Sequence, residues 1–92
     1  FESMNDITKA GGYYYLTATR KKMLKCKSLD DHSSCEDVYD SLGIKGNPYY
    51  FSYFDDAFYL TEISSGDGII KFDHDNDGLK NPVYFHRPGP PH

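Results

Sequence analysis

The chain has only two cysteines, Cys26 and Cys35, on either side of the polar stretch KSLDDHSS. This stretch must turn back on itself to bring the two thiols together. We expect a disulfide, because no CxxC or HxxxH pair supplies the further ligands of a zinc site. Closing so short a loop contributes roughly 2–3 kcal/mol in the chain-entropy description, a large share for a small domain. A disulfide indicates an oxidising compartment, so the sequence predicts a secreted or extracellular protein that crosses the periplasm in transit.

The length and the ends of the chain predict its organisation. Ninety-two residues correspond to one globular domain, 1–92, with an N-terminal segment at 1–12. The sequence RPGPPH at 87–92 predicts an extended, proline-rich tail. The chain begins with Phe1 rather than Met, which predicts removal of an upstream secretory signal. No stretch approaches the ~20 apolar residues of a membrane span, so we expect none.

Aromatic residues dominate the apolar positions, with nine Tyr, six Phe and no Trp, and this bias favours strands. Residues 13–28 indicate a long or interrupted strand after a glycine turn. Further along, YYFSYF and AFYLTEIS indicate two strands of a hairpin, separated by Asp55 and Asp56. Two more strands are predicted at GIIKF and VYFH. The order predicts an antiparallel meander of about four strands.

One short helix is predicted between the first strand and the meander. Ser33 and Glu36 have the spacing of a capping box, and Gly43 follows as a stop signal. The apolar residues between them recur at helical spacing: Cys35, Val38, Tyr39 and Leu42. The predicted fold class is therefore α+β, with one antiparallel sheet of about four to five strands, one short helix and a single disulfide.

The predicted sheet has more aromatic surface than one short helix can cover, because both parities of YYFSYF are aromatic. Either the N-terminal segment covers the second face or a partner chain does, since apolar patches of this size mark interfaces. The residues predicted to contact a partner are Tyr49, Phe51, Tyr53, Phe58 and Leu60.

The strongest short motif is DxDxDG, which ends at Gly78. Alternating carboxylates of this kind converge on Ca²⁺, and the glycine permits a sharp turn. The predicted ligands are Asp73, Asp75, Asp77, the backbone carbonyl of Leu79, and Asn81 or a nearby acid such as Asp67. An EF-hand is excluded, because Tyr84 occupies the position of the bidentate Glu. The alternative interpretation is a solvated acidic connection between strands.

Nothing in the sequence indicates catalysis. The four His are scattered, and no Ser, His and Asp arrangement with an oxyanion loop is present. A basic run beside Tyr13–Tyr15 has the composition that suits single-stranded nucleic acid. We expect instead a solvated strand face or a surface that pairs with an acidic neighbour. The sequence therefore predicts a protein that is not an enzyme and that binds no nucleic acid.

Charge is distributed unevenly along the chain. Residues 1–29 contain six basic and two acidic side chains, whereas residues 30–92 contain four basic and twelve acidic ones. This polarity suits self-association or a charged partner. The alternative is a soluble protein whose loops are unevenly charged.

Residues 57–82, AFYLTEISSGDGIIKFDHDNDGLKNP, combine an aromatic strand, a glycine turn and a strand that ends in an Asp-rich loop. This pattern resembles the antiparallel sheet of type IV pilins and type II secretion pseudopilins, some of which hold calcium beyond that sheet. Those families begin with a long apolar helix, with Phe first and Glu fifth, whereas here Phe1 precedes a polar stretch with Asn5. The resemblance implies the globular half of a split pilin, whose helix comes from a second, short chain.

Three functions follow as expectations. The first is a structural subunit of an extracellular pilus or pseudopilus-like filament, which packs its aromatic sheet on a partner's helix and on copies of itself. The second is a secreted calcium-dependent binding module for glycan or protein. The third is a small toxin or inhibitor, although the cysteine density usual for that class is missing.

Overall fold

The computed structural model describes residues 4–18, 21–63 and 68–86, and these form an almost entirely β structure. No α-helix occurs in these three ranges. The eight strands are β1 (Met4–Ala10), β2 (Tyr13–Ala18), β3 (Lys22–Cys26), β4 (Cys35–Asp37), β5 (Asn47–Phe54), β6 (Ala57–Ile63), β7 (Gly68–Asp75) and β8 (Gly78–His86). The predicted tail and the glycine turn between β6 and β7 lie outside the described residues.

The strands form two antiparallel sheets of four strands each. The first sheet has the order β1-β2-β3-β4 and the second has the order β5-β6-β7-β8, so each strand pairs with the next one along the chain. The α+β prediction with a single sheet is therefore wrong. The meander predicted for the second half is present, and Asp55 and Asp56 form its first turn with φ angles of 53° and 63°. Positive φ at both central residues matches the right-handed twist of a tight hairpin.

The helix predicted from Ser33 to Gly43 is replaced by a strand and turns. Cys35–Asp37 form β4, after a three-residue 3-10 helix at His32–Ser34. Cys35 lies directly opposite Cys26 in the β3–β4 pair, and the disulfide joins them there. An isolated helix of this length is marginal in water, so pairing with β3 prevails over the capping signal. Of the four residues at helical spacing, Cys35 lies in β4, Val38 is buried in the core, and Tyr39 and Leu42 pack against that core.

The segment predicted as one long or interrupted strand is a hairpin of the first sheet. Lys21, with φ 58°, lies between β2 and β3, which pair in register from Tyr14 opposite Cys26 to Ala18 opposite Lys22. The N-terminal segment contributes β1 on the other side of β2. The N-terminal third of the chain thus supplies three strands of a sheet that the sequence did not predict.

The two sheets share one hydrophobic core. Tyr15 and Met23 of the first sheet pack in the same buried cluster as Leu60, Ile70 and Phe72 of the second. The first sheet therefore covers one face of the second, which we call the inner face. The sequence left two possibilities for the cover of this sheet, the N-terminal segment or a partner chain. The inner face is covered by the chain's own N-terminal part.

Polar contacts fix β1 and β2 against β5. The Asp6 carboxylate accepts a hydrogen bond from the Phe51 N–H at 2.8 Å, and the Thr17 hydroxyl donates to the Tyr49 carbonyl at 2.9 Å. Thr17 is fully buried, so this bond satisfies a hydroxyl that water cannot reach. These two bonds hold the first sheet at β5.

The other end of the first sheet packs on the turn between β7 and β8. The Gly12 N–H donates to the Asn76 carbonyl at 3.3 Å, and the Tyr15 hydroxyl accepts from the Leu79 N–H at 3.0 Å. Gly11 has φ 62°, and a Cβ there would lie 2.8 Å from the Gly78 nitrogen. The backbone of Gly11 contacts the backbone of the β7–β8 turn at this point, so only glycine fits.

Strand β8 carries one irregularity. Its register against β7 shifts between Lys71 and Asp73, opposite Asn81 and Pro82, and Asn81 has φ 53°. This is the geometry of a β-bulge, in which an extra residue on one strand takes a left-handed conformation. No helix of the described part of the chain is long and apolar enough to cross a membrane.

Candidate functional site

The disulfide predicted between Cys26 and Cys35 is confirmed. Cys26 is fully buried, and the loop closed by the bond is held by the Ser34 hydroxyl, which donates to the Ser28 carbonyl at 3.0 Å. Both cysteines are therefore structural in this fold. The bond is compatible with an extracellular or otherwise oxidising compartment.

The predicted calcium loop is a tight hairpin between β7 and β8. Asp75 lies opposite Gly78, which leaves Asn76 and Asp77 as a two-residue turn. The Asp75 carboxylate forms an ion pair with Lys80 and accepts the Asp77 N–H at 2.8 Å. The Lys80 hydrogen bond, together with that N–H, lowers the pKa of Asp75. The acidic motif is thus partly engaged in stabilising its own turn.

The remaining predicted ligands are divided between two environments. Asp73 accepts a hydrogen bond from the Asn81 amide at 3.4 Å on the surface, whereas Leu79 is buried in the core. Within the described ranges, no three His, Cys, Asp or Glu side chains gather in a group able to hold a metal ion. Asp67 lies outside those ranges. Calcium binding at this hairpin stays a prediction.

The five residues predicted to contact a partner are on or beside β5 and β6. Phe58 and Leu60 belong to the core on the inner face, where the first sheet buries them. Phe51 packs against that core and Tyr49 is half-buried, whereas Tyr53 is largely exposed at the end of β5. Their role as partner contacts stays a prediction. The face they occupy is already largely covered within the chain.

The opposite face of the second sheet is the larger exposed apolar surface, and we call it the aromatic outer face. One cross-strand row runs from Tyr50 through Thr61 and Ile69 to Phe85, and Val83 lies on the same side next to Lys71. Its exposed fractions are 53% for Tyr50, 42% for Ile69, 50% for Val83 and 49% for Phe85. These four side chains are large and apolar, and each is about half exposed.

Sequence reasoning did not identify the residues of the aromatic outer face. It chose partner contacts along two neighbouring strands and did not follow the cross-strand row that runs over the whole sheet. Both parities of β5 are aromatic, so β5 alone does not reveal which face is covered. The signal lies in β7 and β8, where Ile69 and Phe85 pair with each other and alternate with the buried Ile70 and the half-buried Tyr84. Reading that alternation across the sheet identifies the exposed face.

The first sheet has an outer face of its own, which we call the basic outer face. A cross-strand row joins Ile7, Leu16 and Leu24, with Ile7 exposed and Leu16 buried. Lys9 and Lys22 lie on the same side, and the Lys9 ammonium is 5.3 Å from the centroid of the Tyr14 ring. The row continues to Asp37 of β4, so this face combines a partly buried apolar row with two flanking lysines and one carboxylate.

The two sheets differ in charge. The first sheet, β1 to β4, carries three lysines and three carboxylates, whereas the described residues from β5 to β8 carry six carboxylates and two lysines. The uneven charge found in the sequence is therefore also a difference between the two sides of the molecule.

A cleft of about 390 Å³ lies where the end of β1 meets the turn between β5 and β6. Three rings line it: Tyr53 and Phe58 with centroids 4.8 Å apart, and His74 at 5.9 Å from Tyr53 and 5.1 Å from Phe58. The Asp56 carboxylate stands beside them, and its Oδ1 is bonded by the Tyr53 hydroxyl at 2.9 Å and the His74 Nε2 at 3.1 Å. The volume of the cleft is within the range typical of ligand pockets.

A buried carboxylate lies at the other end of the second sheet. Glu62 is 2% exposed, and its Oε2 accepts hydrogen bonds from the Lys45 N–H at 3.0 Å and from the Tyr84 hydroxyl. Its Oε1 has no hydrogen-bond partner within the described residues. Burial, together with the bond to Glu62, raises the pKa of Tyr84 well above its ordinary value of 10.0.

We expect Tyr84 to make the fold sensitive to alkaline pH. Because its pKa is raised in the folded state, the unfolded chain releases the phenolic proton first as pH rises. The associated stability is present below about pH 10 and is lost as pH rises through the folded pKa. The measurement is urea unfolding between about pH 10 and about pH 12. As pH rises over this range, the free energy of unfolding should fall less steeply for Tyr84→Phe than for the native chain.

The control is Tyr59→Phe, which removes a phenolic hydroxyl from β6 on the side away from the core and breaks no bond to Glu62. An equal slope in the native chain and in Tyr84→Phe would contradict the assignment of this titration to Tyr84.

No protein-family model matches this chain, and comparisons with curated proteins and with solved structures found no match. The resemblance to pilins and pseudopilins stays a prediction. The functional argument therefore rests on the surfaces of the molecule.

Proposed function

We propose that this protein is a non-catalytic structural subunit of a secreted, pilus-like or pseudopilus-like filament. The observation that carries the proposal is the aromatic outer face, where four large apolar side chains from three strands are about half exposed. Burying a side chain of this size contributes roughly 1.5–3 kcal/mol, so such a face is stabilised by a partner.

The partner that we propose for the aromatic outer face is a second copy of this chain, through its basic outer face. The basic outer face offers the exposed Ile7 and the half-buried Leu24, flanked by Lys9 and Lys22. The β5–β8 half has an excess of carboxylates, whereas the first sheet carries as many lysines as carboxylates. Complementary charge steers encounter and fixes the orientation of two surfaces more than it adds affinity.

An association between two different faces of the same molecule is heterologous. Each copy then offers a free face of each kind after the first contact, so addition continues until the chain of copies closes into a ring or extends as a helix. The proposal of a filament follows from this geometry. A helical partner of the kind implied by the pilin resemblance is the competing occupant of the same face.

The proposal is tested by sedimentation equilibrium of the oxidised protein over a range of concentrations. We expect reversible self-association that Phe85→Ser weakens about tenfold or more, because a half-exposed ring leaves the contact. Raising the salt concentration should also weaken it, since the charges of exposed faces are screened beyond about 8–10 Å at physiological ionic strength.

The matched control is Leu29→Ser, which changes an exposed apolar side chain in the disulfide loop, away from both outer faces. It should associate like the native chain. A native chain that stays monomeric at every concentration would overturn self-association. If that monomer were stabilised by an added amphipathic helix, the partner helix would be the occupant instead.

A further inference from the structure

We propose that the cleft between β1 and the β5–β6 turn, which is lined by the rings of Tyr53, Phe58 and His74 and has the Asp56 carboxylate beside them, binds an organic ammonium group. The cleft lies at one end of the two-sheet structure, and none of its rings belongs to the aromatic outer face. The inference therefore does not depend on the proposed filament.

The rings of the cleft form a corner rather than a flat stack. The planes of Tyr53 and Phe58 cross at 58°, those of Tyr53 and His74 at 69°, and those of Phe58 and His74 at 90°. Inclined rings that line a cleft resemble the aromatic cages in which the quadrupoles of Tyr and Phe rings attract an ammonium group. Phe58 is buried and closes the back of the cleft, and the exposed Tyr53 forms its side.

Asp56 supplies negative charge at the mouth of the cleft. Its side chain is 85% exposed, and its Oδ1 holds both the Tyr53 hydroxyl and the His74 Nε2. The hydrogen bond from Tyr53, followed by that from His74, lowers the pKa of Asp56, so the carboxylate is charged at neutral pH. A fixed carboxylate beside three rings favours a cation over a neutral ligand of the same shape.

The one lysine that borders the cleft does not occupy it. Lys9 lines the cleft, but its ammonium lies over the Tyr14 ring on the basic outer face. Along β1 the cleft is further lined by small side chains and a glycine, those of Thr8, Ala10 and Gly11. The space is therefore bordered by small groups on one side and by rings and a carboxylate on the other, which leaves room for an alkylated cation.

Two sources have this chemistry. One is a lysine side chain of another protein, and the other is a free quaternary ammonium compound. Both offer a positive group with apolar surface around or behind it, so the cleft itself recognises the shared part. The experiment separates the two sources by using a probe for each.

The test is a two-dimensional amide NMR titration of the ¹⁵N-labelled chain at constant ionic strength. The probes are choline, Nα-acetyl-lysine amide and, as the neutral shape control for choline, 3,3-dimethylbutan-1-ol. We expect saturable shifts confined to Thr8–Gly11, Tyr53–Phe58 and His74 with the two cations and none with the alcohol. Tighter binding of choline identifies a free quaternary compound as the source, and tighter binding of the lysine amide identifies a protein side chain.

Matched variants assign the binding to named residues. Asp56→Asn keeps the shape of the turn, where Asn tolerates a positive φ, and should weaken binding about fivefold to tenfold. Its control is Asp55→Asn, which removes the same charge from the neighbouring turn position and should have little effect. Tyr53→Leu should weaken binding similarly, whereas Tyr50→Leu, on the same strand but on the outer face, should not.

Three results would overturn the inference. One is the absence of saturable shifts with both cations, and another is equal binding of the neutral alcohol. The third is an equal effect of Asp55→Asn and Asp56→Asn, since the attraction would then be general acidity of the turn. None of these results bears on self-association through the aromatic outer face.

Discussion

Replacing Gly78 by alanine is expected to destabilise the folded state by about 3 kcal/mol or more. A Cβ at this position would collide with the Tyr15 hydroxyl and would lie 3.1 Å from the Tyr15 Cζ. The residue also has φ 106°, a conformation that an L side chain rarely adopts. Tyr15 is buried, so moving its ring breaks the hydrogen bond from the Leu79 N–H and disturbs the shared core.

A double-mutant cycle with Tyr15→Phe measures this effect by urea unfolding in the presence of a calcium chelator. Tyr15→Phe alone should cost about 1–2 kcal/mol, because the buried Leu79 N–H loses its acceptor. Since the phenylalanine ring lacks the oxygen that meets the new Cβ, Gly78→Ala should cost about 1 kcal/mol less in that background. Strict additivity of the two changes would contradict the steric explanation.

Removing the disulfide is expected to lower the free energy of unfolding by about 2–3 kcal/mol. Small domains are stable by only about 5–15 kcal/mol in total, so this is a large fraction. Cys26 is fully buried, and the double variant Cys26→Ala/Cys35→Ala therefore avoids placing a hydroxyl in the core. The measurement is the urea midpoint of the variant beside that of the native chain with and without a reducing agent.

The same change has a local signature at β4. The Val38 N–H donates to the Met23 carbonyl at 2.8 Å, next to the Leu24–Asp37 pair at the end of β4 opposite to the cysteines. Without the disulfide, this three-residue strand has little to hold it on β3, so the Val38 amide should exchange with solvent faster. The Leu16 amide in the centre of the first sheet serves as the control. Unchanged midpoints and unchanged Val38 exchange would show that pairing alone holds β4.

The second sheet could be predicted from the sequence because its signals are local. Asp55 and Asp56 mark a turn between two aromatic runs, and the parity of GIIKF is that of a half-buried strand. The acidic stretch was expected to form a loop, and there the prediction gave the wrong shape. Its turn takes only two residues, because Asp75 and Lys80 pair across the hairpin and the first sheet supports it.

The first sheet could not be predicted, since its strands are specified by contacts with distant residues. Residues 33–43 carry a capping box and helical spacing, yet the disulfide holds Cys35 on β3 and the turns carry Val38 into the core. Nothing in the local sequence shows that Tyr15 reaches the Leu79 N–H, or that Asp6 reaches β5. The cleft of Tyr53, Asp56 and His74 also joins positions whose proximity depends on hairpin register.

The edges of the second sheet restrict the ways in which copies of the chain can add to one another. A flat strand edge is a template for cross-β growth, which leads to amyloid. At β5 the Phe51 N–H is already taken by Asp6, and at β8 the bulge at Asn81 and the missing N–H of Pro82 interrupt the row of backbone donors. Strand addition is disfavoured at both edges of the second sheet, which agrees with the proposal that copies associate reversibly by side-chain packing between faces.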